Sequence, residues 1–163
     1  MRTRFTTAAT LVTLTSAVAC QQSPVVPVIA APPIELRIRV SDSVLVAGEV
    51  DTLKVIVKNT LDFAVRLSFA TQCQERLFIR DTRGVVVLPA AGTHSCTRLA
   101  SLMTLPARDS IVRTYLWTGG QSLYPPDPAA KLAPGRYFVS ASLEATNYSV
   151  SAFPVAIRLV TSR

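Results

Sequence analysis

Histidine is nearly absent from this 163-residue chain, with His94 the only one. Any general base working at neutral pH is therefore confined to one residue. A metal site takes three or four converging ligands, and one histidine with three cysteines is a poor supply. Glycine is scarce as well, six in all, and neither a glycine-rich phosphate loop nor a G-x-S-x-G nucleophile turn occurs. Acidic residues are outnumbered, ten against seventeen Lys and Arg. The cations nevertheless stand singly, as at Arg37, Arg39, Lys54, Lys58, Arg66 and Arg76, with no dense run and no aromatic interleaving. A nucleic-acid binder wants a clustered basic stripe, so the charge reads as a solvated surface that keeps the protein soluble. The expectation is a protein that is not an enzyme, with no cofactor, no metal and no nucleic-acid partner.

What is present begins at the N-terminus. Arg2 and Arg4 form a basic start, Phe5 to Ala19 is a mostly apolar stretch without charge, and Ala17-Val18-Ala19 offers small residues beside Cys20. That is the layout of an export signal, and the stretch is shorter than the about 20 residues of a stable membrane anchor. Ala17-Val18-Ala19-Cys20 fits a lipobox at its last three positions, with Ala17 where Leu is usual. The same residues also suit the ordinary signal peptidase. Cysteine arithmetic favours acylation: three cysteines leave one over in an oxidising compartment, and lipid on Cys20 removes the odd thiol. Residues 1–19 are thus expected to be a lipoprotein signal peptide. The protein would then be lipid-anchored in a bacterial cell envelope and face outside the cytoplasm.

Residues 20–33 carry Pro24, Pro27, Pro32 and Pro33, which forbid a helix and favour a semi-rigid polyproline II tether. From residue 34 to 163 the periodicity is two. Ile34, Leu36, Ile38 and Val40 alternate with Glu35, Arg37 and Arg39, and Leu53, Val55 and Val57 alternate with Lys54 and Lys58. Further strands are expected at 65–69, 77–81, 85–88, 111–117, 136–143 and 150–160, the last interrupted by Pro154 at an edge or bulge. Thr82-Arg83-Gly84 reads as a hairpin connection. Between Cys96 and Leu105, Leu99, Leu102 and Met103 fall at helical spacing, but the segment is short and uncapped and reads as a loop or a single turn. Eight strands at this spacing predict an all-β fold, an antiparallel immunoglobulin-like β-sandwich of about seven to eight strands, with Trp117 in its core.

Several segments then match one family in order. Leu53 to Asn59, Val65 to Phe69, the polar stretch with Gln72 and Gln74, and Phe78-Ile79-Arg80-Asp81-Thr82-Arg83-Gly84 follow one another. Leu105-Pro106 precedes a strand with Tyr115 and Trp117, and Pro134-Gly135-Arg136-Tyr137 opens another. Over roughly residues 50–144 this arrangement resembles the BsuPI-type proteinase-inhibitor domain. It departs from that domain at Pro106-Ala107-Arg108, where Pro-Gly-Glu is usual, and at Val85 to Pro89, where a Trp-rich segment is expected. The resemblance implies an immunoglobulin-like sandwich and, as an alternative function, inhibition of a proteinase.

Cys73 and Cys96 are 23 residues apart, unlike a C-x-x-C redox motif, and are expected to form a structural disulfide. Closing that loop constrains the unfolded chain by about 3 kcal/mol. His94 lies in a polar loop beside Cys96, and the disulfide would deny it a thiolate partner. Three functions follow: a non-catalytic protein-binding module, a proteinase inhibitor, or a structural envelope lipoprotein. The binding contacts would come from two loops, with His94 and Arg98 in one and Tyr124, Pro125, Pro126 and Asp127 in the other. The expected partners are the membrane, through the lipid, and a protein or protease.

Overall fold

Alternating strands need two faces, one dry and one wet, and the chain satisfies this by stacking two sheets. A computed structural model describes residues 32–123 and 131–162. The expected signal peptide, Cys20 and the expected tether up to residue 31 lie outside the described residues. The strands are β1 (Ile34–Val40), β2 (Val44–Val46), β3 (Asp51–Asn59), β4 (Val65–Phe69), β5 (Glu75–Asp81) and β6 (Val86–Leu88). They continue as β7 (Ser101–Leu105), β8 (Ser110–Trp117), β9 (Gly135–Ala145), β10 (Tyr148–Ser151) and β11 (Val155–Val160). One sheet has the order β1-β3-β8, the other the order β2-β11-β9-β5-β6 with β10 also on β9, and β4 pairs with β7 as a separate ribbon. The protein is an all-β, immunoglobulin-like sandwich.

The inward residues are those that the alternation marks. Ile34, Leu36 and Ile38 of β1 and Leu53, Val55 and Val57 of β3 are buried and share one core with Leu77 and Ile79 of β5 and Val139 of β9. Each such side chain contributes about 1.5–3 kcal/mol by leaving water. Trp117 is fully buried and donates its indole N–H to Gly120 O at 2.8 Å, which satisfies its one polar atom. Gly119 follows with φ +75°, and a Cβ there would stand 2.8 Å from Leu159 Cδ1. Only glycine fits both the backbone and the space.

Four features differ from expectation. Ser101–Leu105 is a strand rather than a loop or turn: Met103 and Leu105 are buried while Leu102 points outward, a period of two, and all five residues pair with β4. The helical spacing came from Leu99 and Leu102, both more than half exposed and not part of the core. The short β2 adds a strand and runs parallel to β11, so the sandwich is not wholly antiparallel. Finally, the run 150–160 is two strands, both on β9, separated at Ala152–Pro154, where Ala152 N–H reaches Ala141 O at 2.9 Å. With β2, β7 and this division, eight expected strands become eleven.

Polar side chains fasten the turns. Asn59 is fully buried, and its Nδ2 donates to Phe63 O at 2.8 Å, Pro106 O at 2.9 Å and Leu105 O at 3.2 Å. Its Oδ1 accepts the Leu61 N–H at 2.9 Å. Asp81 closes the β5–β6 hairpin: Oδ1 accepts the N–H groups of Arg83 and Val85, both at 2.9 Å, and Oδ2 takes the Arg83 guanidinium. Partial burial works against its ionisation, but the Val85 and Arg83 donors outweigh it and hold the carboxyl below the usual range. Tyr137, near the start of β9, donates its hydroxyl to Ala133 O at 2.7 Å, four residues back. This is the tyrosine corner of immunoglobulin-like folds. Burial, and then the Asp81 charge, raise the Tyr137 pKa above its ordinary value.

Candidate functional site

The sandwich is open along one flank. Among the described residues β8 pairs only with β3, and β6 only with β5. Between these strands lies a cavity of about 350 Å³, lined by Leu77, Leu88, His94, Tyr115, Gln121 and Leu123 among others. The loop after β6 and the segment after β8 both reach it. The first is pinned by the Cys73–Cys96 disulfide, whose Cα atoms are 5.6 Å apart, well inside bonding range. The bridge is reinforced: Gln72 N–H donates to Thr97 O at 3.2 Å, and Gln74 Nε2 to Leu102 O at 3.1 Å. The second loop is closed at its base by a bridge between Gly120 and Lys131 and by Leu132 N–H to Gly119 O at 2.8 Å.

His94 is fixed rather than free. Its Nε2 lies 2.8 Å from Leu77 O, and a carbonyl can only accept, so that nitrogen carries the proton. With Nε2 engaged in this way, Nδ1 is the ring nitrogen left for another partner. Its edge packs on Phe78, with ring centroids 4.9 Å apart at 77°. Cys96 is bonded to Cys73, so it offers no thiolate to the neighbouring imidazole. Across the cavity, Glu75 accepts the Tyr115 hydroxyl at 3.1 Å on Oε1, and Arg113 Nε stands 3.2 Å from the same oxygen. The flank therefore combines an oriented imidazole, a tethered carboxylate and apolar walls. Such a surface suits recognition by shape and a few fixed polar groups.

Of the residues named from sequence, the structure brings His94 into the cavity and bonds Cys73 to Cys96. Arg98 is exposed on the same loop but does not line the cavity. Tyr124, Pro125, Pro126 and Asp127 lie outside the described residues, as does Cys20. Sequence reasoning passed over Glu75, Arg113 and Gln121. Glu75 meets Tyr115 across 40 positions, and no local pattern signals that pairing. Among the described residues, no three His, Cys, Asp or Glu side chains group as metal ligands.

No protein-family model matches the chain, so the BsuPI-type resemblance rests on its motifs. No curated protein matches it either. Solved structures with a similar course include the CARDB domain of a Pyrococcus furiosus protein, at 16% identity, 80% of this chain, 96% of that one and a TM-score of 0.49. A β-glucosidase from Erythrobacter marinus aligns at 16% identity over 78% of this chain but 15% of its own, with a TM-score of 0.44. The sporulation control protein Spo0M of Bacillus subtilis aligns at 11% identity over 79% of this chain and 50% of its own, at 0.45. This chain thus spans a small part of the glucosidase and half of Spo0M. Nothing those proteins bind or do transfers at these identities.

Proposed function

We propose that the protein is a lipid-anchored cell-envelope β-sandwich that acts as a non-catalytic binding module, holding a protein partner at the flank between β8 and β6. The observation that carries this reading is the convergence of two fastened loops on one concave surface with oriented polar groups. A rigid scaffold that presents loops commonly binds through them. Crosslinking and pull-down from the native envelope should capture a discrete partner with the natural chain, and Ser95→Trp, at the cavity rim, should lose it. Equal capture by both would move the site elsewhere. No capture at all would leave a structural envelope lipoprotein. For the anchor, Cys20→Ser should leave the membrane fraction after a high-salt wash that strips surface-bound protein. An unacylated N-terminus in the natural protein would overturn that part.

Proteinase inhibition is the second reading, and a specific feature favours it. Arg98 and Leu99 are exposed, Leu99 at 56%, on a loop that the Cys96 bridge fastens two residues earlier. Residues 21–163 should then slow a serine protease that cleaves after basic residues, and Arg98→Ala should abolish the effect. Cleavage at normal rate with the natural protein present would remove this reading.

A further inference from the structure

The cations that stand singly in the sequence are brought together by strand register. In the β1-β3-β8 sheet, Arg37 and Arg39 of β1 and Lys54 and Lys58 of β3 all point outward and are exposed. Lys54 lies directly opposite Arg39, and Lys58 opposite Glu35, the one acid on this outer face. Strand geometry confines the four cations to about 14 Å along the strands and about 5 Å across them. Glu35 is engaged by Arg37 at 2.6 Å. No other carboxylate among the described residues pairs with Arg39, Lys54 or Lys58.

Like charges directly opposite one another destabilise a sheet, so the Arg39–Lys54 pair has a cost that an external anion would relieve. A shallow depression of about 310 Å³ lies between these two side chains and is also lined by Ser41 and Thr52. Beside the cations, Val112 and Leu116 of β8 are about half exposed, at 50% and 49%. The opposite sheet carries a like-charged pair too, Arg136 facing Arg158, but there Arg136 stacks on Phe138 at 5.5 Å. On the β1-β3-β8 face neither Arg39 nor Lys54 has an aromatic ring beneath it among the described residues, and two half-exposed apolar side chains stand on the adjacent strand β8.

We propose that this face docks onto an anionic lipid surface, with phosphate headgroups received between Arg39 and Lys54 and the aliphatic stems of the cations and Val112 and Leu116 against the interface. Charge complementarity commits the face to an anion, and the exposed apolar row beside it favours a bilayer over a soluble polymer. Thirteen residues separate Cys20 from β1 of this sheet, a length of about 40 Å if they run as polyproline II. The inference takes its setting from the proposed membrane attachment, but its chemistry does not depend on the acyl chain.

The test uses the mature chain with Cys20→Ser, which carries no lipid, in sedimentation with vesicles. Binding is expected to vesicles of phosphatidylcholine mixed with phosphatidylglycerol and not to phosphatidylcholine alone. It should vanish at about 1 M salt, where the screening length is about 3 Å. Each cation near an anionic surface raises partitioning about fivefold, so the Arg39→Gln/Lys54→Gln double variant should bind about twenty-five-fold more weakly. Arg136→Gln/Arg158→Gln, with the same change in net charge, should bind like the parent. Unchanged Trp117 fluorescence would show that both variants keep the fold. Equal weakening by both pairs would reduce the effect to net charge and overturn the proposal, as would equal binding to neutral vesicles. Tight retention by a soluble sulfated glycan with no vesicle binding would reassign the face to a polymer and overturn it as well. Because no acyl chain is present, a negative result here leaves the Cys20 attachment to be judged by its own experiment.

Discussion

Asn59 is the best single test of how the loops are fastened to the sandwich. Its amide has two hydrogens for three carbonyls, so the bonds to Phe63 O at 2.8 Å and Pro106 O at 2.9 Å are the strong ones and Leu105 O, at 3.2 Å, shares. With Leu61 N–H on Oδ1 at 2.9 Å, three well-formed bonds hold the 60–64 loop and the β7–β8 turn to the end of β3. At about 1 kcal/mol net for each bond, Asn59→Ala should cost about 3 kcal/mol. Against a total stability of about 5–15 kcal/mol, that is a large share. Asn59→Asp should cost more although it changes one atom, because a carboxylate oxygen would then face three carbonyl oxygens in a buried position. Trp117 is the only tryptophan and fully buried, so its fluorescence in urea reports global unfolding. Both variants should shift the midpoint and leave the denaturant slope unchanged. An Asn59→Asp protein as stable as its parent would refute the reasoning. So would an Asn59→Ala cost below about 1 kcal/mol, the worth of a single bond.

Reducing the Cys73–Cys96 bond should cost about 2–5 kcal/mol, and hydrogen exchange should show the 89–100 loop opening before the β3 and β9 amides. Loss of protection everywhere at once would show that the bridge supports the whole sandwich. Asp81→Asn should be less stable than the parent at pH 6, and the gap should close in acid. The folded carboxyl titrates below its unfolded value, so its contribution is present above about pH 4 and is lost as pH falls through the depressed value. A gap independent of pH from 6 to about 2 would mean that charge plays no part. Tyr137→Phe should cost about 1 kcal/mol in the same urea assay, the worth of its bond to Ala133, and no loss would mean that water replaces that contact.

The parts of the fold legible in sequence are those in which alternation runs long enough to be seen. β1 and β4 fall on the expected residues, and β3, β5, β8 and β9 differ from expectation only by a few residues at their ends. β2 has three residues with one buried side chain, Leu45, too short for any period, and it exists because β11 offers it an edge. β7 was obscured by the exposed leucines at 99 and 102, which mimic a helical repeat. At the candidate site, rare residue types were the guide: one histidine and the leftover cysteine pair. Glu75, Arg113 and Tyr115 are common residues whose meeting depends on how two sheets stack, which is a tertiary fact with no local trace. The basic face was hidden differently, since Arg39 and Lys54 are fifteen positions apart in sequence and become cross-strand neighbours only through register.

The passage of the chain from β1 in one sheet to β2 in the other has a mechanical meaning. Inter-strand hydrogen bonds of an antiparallel pair lie perpendicular to the strands. A pull on the N-terminal segment along the β1 axis therefore strains all seven β1–β3 residue pairs together, instead of parting them one by one. Should β1 slip, tension passes to β2, which is held by three pairs in the parallel direction to the last strand of the other sheet. A domain loaded through its first strand is thus clamped twice, in series, with one clamp in each sheet.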